Sequence, residues 1–136
     1  MKILVDTSIW SLALRRSGTL SEEDQSLVSE LNELISEVRV AIIGPIRQEL
    51  LSGISKQEQF DALKEKLLAF DDISLIAEDY ERAAEFYNTC RKSGIQGSQI
   101  DFLICAVAAG REMPIFTTDN DFLLYAKHLS ISLHRS

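Results

Sequence analysis

A chain of 136 residues with 46% hydrophobic side chains can bury roughly two-thirds of its unfolded-chain surface, and it reads as one domain spanning residues 1–136. Its formal net charge of -7 excludes a protein that holds nucleic acid mainly through a broad basic surface, so a polyanionic partner requires bridging cations. Cys90 and Cys105 lack any CxxC or His-rich context, Asp6 interrupts the only N-terminal apolar run, and no apolar stretch approaches the ~20 residues that span a bilayer; we expect a cytoplasmic chain with reduced thiols and no membrane partner.

Ile3, Leu4 and Val5 form an uninterrupted apolar run, the pattern of a strand covered on both faces in a parallel sheet, and Asp6 ends it. Asp6 thus falls beyond the carboxyl end of a strand, where open α/β sheets place their ligands. Thr7 and Ser8 offer hydroxyls to cap a helix through Ile9, Trp10, Leu12 and Leu14. Ser17-Gly18-Thr19 breaks that pattern, and Ser21 with Asp24 predicts a capped helix to about Ser36. Val38 to Ile43 reads as a second buried strand, closed by Gly44-Pro45. Pro45 opens a short helix carrying Ile46, Glu49, Leu50 and Leu51 that stops at Gly53, and Ser55 with Glu58 predicts another capped helix to about Phe70. A brief strand is expected over residues 73–76 and an amphipathic helix over 78–92. Residues 94–97 make the clearest loop, after which Ser98 caps a helix over 100–109 that is apolar almost all round and therefore central. Ile115 and Phe116 form a strand, residues 117–120 a polar turn, residues 122–126 a last helix, and residues 131–133 an edge strand. Alternating strands and helices predict a three-layer α/β sandwich whose mainly parallel central sheet has four to five strands flanked by helices.

In this architecture four acids converge. Asp6 follows the first strand, Glu49 lies on the helix after the second, Asp101 sits in the first turn of the central helix, and Asp119 follows the strand at Ile115-Phe116. Each has a plainer reading taken alone: Asp101 completes a capping box with Ser98, Asp119 and Asp6 serve as helix caps, and Glu49 is a solvated helix charge. Their conjunction favours function, because two unpaired charges about 4 Å apart repel by roughly 4 kcal/mol at an effective dielectric near 20. A divalent metal compensates that repulsion. Hard oxygen ligands without His or Cys suit Mg²⁺ or Mn²⁺ rather than zinc, and Mg²⁺ is usually completed by substrate phosphates, which points to phosphoryl chemistry.

The chain resembles the PIN-domain nucleases, and within them the VapC-type toxins of toxin–antitoxin pairs. The resemblance rests on Leu-Val-Asp-Thr-Ser-Ile-Trp at residues 4–10, Pro45 to Gly53, Asp101 to Ala108, and Thr117 to Phe122, all in the family's order. It implies a PIN-like fold and a Mg²⁺- or Mn²⁺-dependent endoribonuclease whose acids match Asp6, Glu49, Asp101 and Asp119. On that resemblance Asp6 and Asp101 contact metal directly, Asp119 does so directly or through water, and Glu49 orients the attacking water or a second metal. Thr118 and Ser8 match supporting polar positions, and Asp121 matches a variable acid. Such toxins typically dimerise, are silenced by a cognate antitoxin, and cleave structured RNA, tRNA above all.

Arg47, Arg91, Lys92 and Arg111 are candidates for phosphate contact, weighed against the usual fate of a surface arginine as a solvated charge. Trp10, Phe86 and Tyr87 read first as packing residues, and His128 and His134 as surface residues. Two rivals remain: a catalytically silent module of the same fold that binds RNA or protein, and a phosphoaspartate protein. The second wants an acid beside the first strand's Asp and a late Lys, where this chain has Thr7-Ser8 and Asp119.

Overall fold

Ile3–Val5, all buried, form β1, the middle strand of a parallel sheet ordered β2-β1-β3 in the computed structural model, which describes residues 1–15 and 18–134. β2 is Val40–Ala41 and β3 is Ile115–Phe116, with Ile3 opposite Val40, and Val5 opposite Phe116. A central strand needs apolar side chains on both faces, which is why Ile3, Leu4 and Val5 do not alternate with polar residues.

The chain leaves β1 through α1 (Thr7–Leu14) and α2 (Glu22–Ser36), returns at β2, and then runs through α3 (Gly44–Leu51), α4 (Gln57–Leu67), α5 (Ala77–Lys92) and α6 (Gln99–Gly110) to β3 and α7 (Asp121–Ala126). Of the expected break after the first helix, Ser17 lies outside the described residues, and Gly18 takes a φ of 94°. The caps follow the side chains offered: Asp6 caps α1, Ser21 accepts from Asp24 N–H, and Ser98 accepts from Asp101 N–H. Residues 102–108 of α6 are all buried, as expected for a helix without a polar face, and α5 packs along it. Cys90 and Cys105 are free and buried on these two helices, and burial raises the pKa of both thiols. Among the described residues no helix is long and apolar enough to cross a membrane.

Three expectations are corrected. The sheet has three strands among the described residues, not four to five. The segments expected to be strands near residues 73–76 and 131–133 meet it only through single parallel bridges, Asp72 to Ile42 and Leu133 to Ile115. Two-residue edge strands leave room for little more. Val38, placed in the second strand by its apolar character, instead sits in the turn that ends α2, 75% exposed with a φ of 56°. Its N–H and that of Arg39 go to the Ile35 and Leu34 carbonyls, closing the helix with a left-handed residue that is rare for a β-branched side chain. Ser55 does not cap α4, which begins at Gln57 behind Lys56 without a side-chain cap and ends at Leu67 rather than Phe70.

One buried charge is structural. Asp79 of α5 is 1% exposed, and Arg111 donates to both its oxygens at 2.7 and 3.0 Å. Arg111 thereby holds the Asp79 carboxyl below its ordinary pKa and leaves the role of phosphate ligand considered for it.

Candidate metal centre

The register that places Val5 opposite Phe116 brings the next residues, Asp6 and Thr117, together at the carboxyl ends of β1 and β3. Thr117 Oγ1 donates to Asp6 Oδ2 at 2.8 Å, and so does Ser8 Oγ, also at 2.8 Å. Both hydroxyls are used twice. Ser8 Oγ accepts from Thr118 N–H at 3.0 Å, and Thr117 Oγ1 accepts from Asp119 N–H at 3.0 Å. Two small side chains thus tie the end of β1 to the turn after β3, and Asp6 is left only 5% exposed.

Asp101, on the first turn of α6, accepts a 2.7 Å hydrogen bond on Oδ2 from the Tyr125 hydroxyl of α7. Asp119 Oδ1 accepts from Asp121 N–H at 2.9 Å, which shapes the turn opening α7. Glu49 reaches from α3 to the first turn of α1, where Thr7 Oγ1 donates to its Oε1 at 2.8 Å. A pattern runs through all four: one carboxylate oxygen is held by the chain, while among the described residues nothing donates to Asp6 Oδ1, Asp101 Oδ1, Asp119 Oδ2 or Glu49 Oε2. Among the described residues no buried side-chain polar atom lacks a partner, so these free oxygens reach solvent.

Carboxylate oxygens of Asp101, Asp119 and Asp121 lie within 4.8 Å of one another. Opposite ligands of an octahedral ion bound at ~2.1 Å are about 4.2 Å apart, so the spread of this trio is of the order that one small cation requires. Asp121 therefore belongs to the cluster together with Asp119, while Asp6 and Glu49 stand outside the trio. Asp6 remains near enough that its charge, with that of Asp119, adds to the burial that raises the pKa of Asp101; the Tyr125 and Ser98 hydrogen bonds oppose the shift. Burial and the Asp101 carboxylate in turn raise the pKa of Tyr125, which keeps its hydroxyl a donor. Among the described residues none of these five acids forms an ion pair with Lys, Arg or His. An all-oxygen donor set with its charge uncompensated fits a hard divalent cation such as Mg²⁺ or Mn²⁺.

Several expected roles fall elsewhere. Thr118, expected to support the site, is exposed and contributes its backbone N–H, whereas the hydroxyl that clamps Asp6 belongs to Thr117. Arg47, a candidate phosphate ligand, is spent on structure: it pairs with Asp72 at 2.9 Å and donates to the Leu67 and Phe70 carbonyls. Arg91 and Lys92 are exposed at the end of α5, and the Arg91 guanidinium lies 5.2 Å from the Tyr87 ring centre. Thr117 and Tyr125 were not singled out from the sequence, and Thr7 was read there only as a helix-capping hydroxyl. A hydroxyl directly after a strand end was the available signal for Thr117, and Tyr125 had none.

A family model for the PIN domain matches residues 3–128. No curated protein matches the chain. Among solved structures, FitAcB from Neisseria gonorrhoeae superposes with a TM-score of 0.76 at 20% identity, covering 98% of this chain and 96% of that one. VapBC2 from Rickettsia felis, bound to a DNA fragment from its promoter, gives 0.77 at 19% identity, covering 98% of each chain. VapBC-5 from Mycobacterium tuberculosis, a member of the VapBC family of toxin–antitoxin systems, gives 0.70 at 21% identity, covering 99% of this chain and 98% of that one.

Proposed function

The chain belongs to the PIN domain family, and from that premise we propose that it is a single-domain, divalent-metal-dependent endoribonuclease acting as the toxin of a toxin–antitoxin pair. PIN domains are typically nucleases. The observation that carries the reading here is the group of carboxylates from α6, the turn after β3 and α7 within 4.8 Å of one another, among neighbours that each keep one oxygen free. Likeness to the Rickettsia felis and Mycobacterium tuberculosis complexes supports an antitoxin as partner, and we add a homodimer and a structured RNA substrate as part of the same proposal.

In this reading Asp101, Asp119 and Asp6 hold Mg²⁺ or Mn²⁺, with Asp121 completing the cup. The bound ion supplies a water of lowered pKa and positive charge for the scissile phosphate. Glu49, steadied by Thr7, offers Oε2 to orient the attacking water and accept its proton. Ser8 and Thr117 fix the orientation of Asp6 by donating to its Oδ2, which turns Oδ1 toward the ion. The phosphodiester's charge, otherwise repelled by a chain of net charge -7, is met by the cation.

The test is incubation of total cellular RNA with purified, antitoxin-free protein and Mn²⁺ or Mg²⁺, beside an EDTA control and the Asp101→Asn variant. Discrete fragments that vanish in both controls support the nuclease and reveal its target. Intact RNA from a folded protein that binds Mn²⁺ favours the silent binding module instead.

A further inference from the structure

We propose that Tyr125 and Gly97 together form a positioning device that holds one oxygen of Asp101 and so selects a small octahedral cation over a larger one. The inference rests on the reading of Asp101 as a metal ligand and names what sets its geometry.

Tyr125 is fully buried, and its ring is fixed on two sides: tilted against Phe102 with ring centres 5.0 Å apart, and edge-on to Phe122 at 5.2 Å. Phe102 is in turn edge-on to Tyr87 of α5 at 5.7 Å. A ring so confined delivers its hydroxyl to one place, Oδ2 of Asp101 at 2.7 Å. The ceiling over that hydroxyl is Gly97, the residue before the cap of α6. A Cβ at position 97 would overlap the Tyr125 hydroxyl and come within 2.9 Å of the Phe102 ring. Gly97 is not among the glycines with positive φ, so what it supplies here is space rather than an unusual backbone.

A carboxylate with one oxygen already accepting from a confined donor has a lone pair and an approach direction taken there, which favours metal binding through the other oxygen. Mg²⁺ and Mn²⁺ accept such single-oxygen ligands in a strict octahedron, whereas Ca²⁺ takes six to eight oxygens and often chelates both oxygens of one carboxylate. The Tyr125 hydroxyl obstructs that second mode at Asp101. Outer donors of this kind commonly contribute 10- to 100-fold to metal affinity.

The experiment is calorimetric titration of the metal-free full chain with Mn²⁺ and, separately, with Ca²⁺, for wild type, Tyr125→Phe, Gly97→Ala and the double variant. Tyr125→Phe is expected to weaken Mn²⁺ binding about 10-fold and Ca²⁺ binding less, so the ratio of the two constants narrows. Gly97→Ala, which keeps the hydroxyl but displaces it, should do the same, and the double variant should be no worse than either single one, because both remove one interaction. Leu34→Ala, a core change on α2, should lower the melting temperature and leave the ratio as in wild type. An unchanged Mn²⁺/Ca²⁺ ratio in Tyr125→Phe, or the same narrowing in Leu34→Ala, overturns the inference while leaving the metal site standing. Failure of the wild type to bind Mn²⁺ sinks the metal site and the inference together.

Discussion

Asp6 and Thr117, 111 positions apart in the chain, are joined by a 2.8 Å hydrogen bond because β1 and β3 are adjacent parallel strands in register. The same threonine oxygen accepts the Asp119 N–H, so one hydroxyl fixes two acids of the candidate site.

Replacing that hydroxyl is therefore expected to cost more than one hydrogen bond. Thr117→Val keeps the shape and should reduce RNA cleavage and Mn²⁺ affinity by about 10-fold or more, while Thr117→Ser should retain most of both. It should also destabilise the fold by about 1–3 kcal/mol, since Asp6 Oδ2 loses one of its two hydroxyl donors and the Asp119 N–H loses its acceptor. Urea denaturation beside a cleavage assay separates the two effects.

Asp101→Asn should abolish cleavage yet stabilise the metal-free protein. Burial, helped by the charges of Asp6 and Asp119, raises the folded-state pKa of Asp101 above its unfolded value. The unfolded chain then binds fewer protons than the folded one between those values, and stability falls as pH rises through that window. The gain from Asn should thus be absent below the ordinary carboxylate range and reach about 1 kcal/mol, or roughly 3–5 °C in Tm, at neutral pH. Melting curves in EDTA across pH test the sign; a gain largest in acid would contradict the proposed cause.

Metal should stabilise where carboxylates gather. Mn²⁺ at 100 times its Kd adds about 2.7 kcal/mol to a folded state that alone binds it. That increment should disappear in Asp119→Asn and shrink as pH drops through the raised Asp101 pKa, because protons compete for the same oxygens. Thermal scans with and without Mn²⁺ read it directly.

The buried pair at the other end of the molecule predicts the opposite pH behaviour. Arg111 lowers the Asp79 pKa, so its contribution is complete above the ordinary carboxylate range and is lost as pH falls below it, through the depressed folded value. Asp79→Asn should lower stability by about 1–3 kcal/mol at neutral pH, less than for a fully enclosed pair because the Arg111 side chain is 28% exposed. Mn²⁺ affinity should not change.

Arg47→Ala should behave as a structural lesion. Its loss frees Asp72 and two carbonyls, at about 1–3 kcal/mol, and the KM for RNA should stay within twofold of wild type. A large rise in KM with unchanged stability would restore Arg47 as a phosphate ligand.

What could be read in advance follows from how local each signal is. Asp6, Asp101 and Asp119 were legible because each follows an apolar strand or opens a capped helix, positions that neighbours in sequence define. Arg47 misled for a reason of geometry: two residues from Glu49 on a helix, it points to a different face. Ile73 and Leu75 are half-buried while Ser74 and Ile76 are exposed, an alternation that mimics a strand, but pairing requires a partner whose free edge no local pattern reveals. Thr117 and Thr118 differ only in which one β3, two residues long, turns toward Asp6. Tyr125 meets Asp101 across 24 positions through helix packing, and nothing local announces it.

The central place of β1 has a consequence for the order of folding. Both its partners, residues 40–41 and 115–116, come later in the chain, so the apolar segment Ile3–Val5 stays without one edge until the last strand arrives. Pairing over such separations makes folding slow and late-committing. A ribosome-bound fragment of 101 to 116 residues holds Asp6, Glu49 and Asp101 but lacks Thr117, Asp119 and Asp121. On the proposed reading, a nascent chain carries no assembled cation cluster until residue 121 has been made: the cutting edge is forged only after both neighbours of β1 exist.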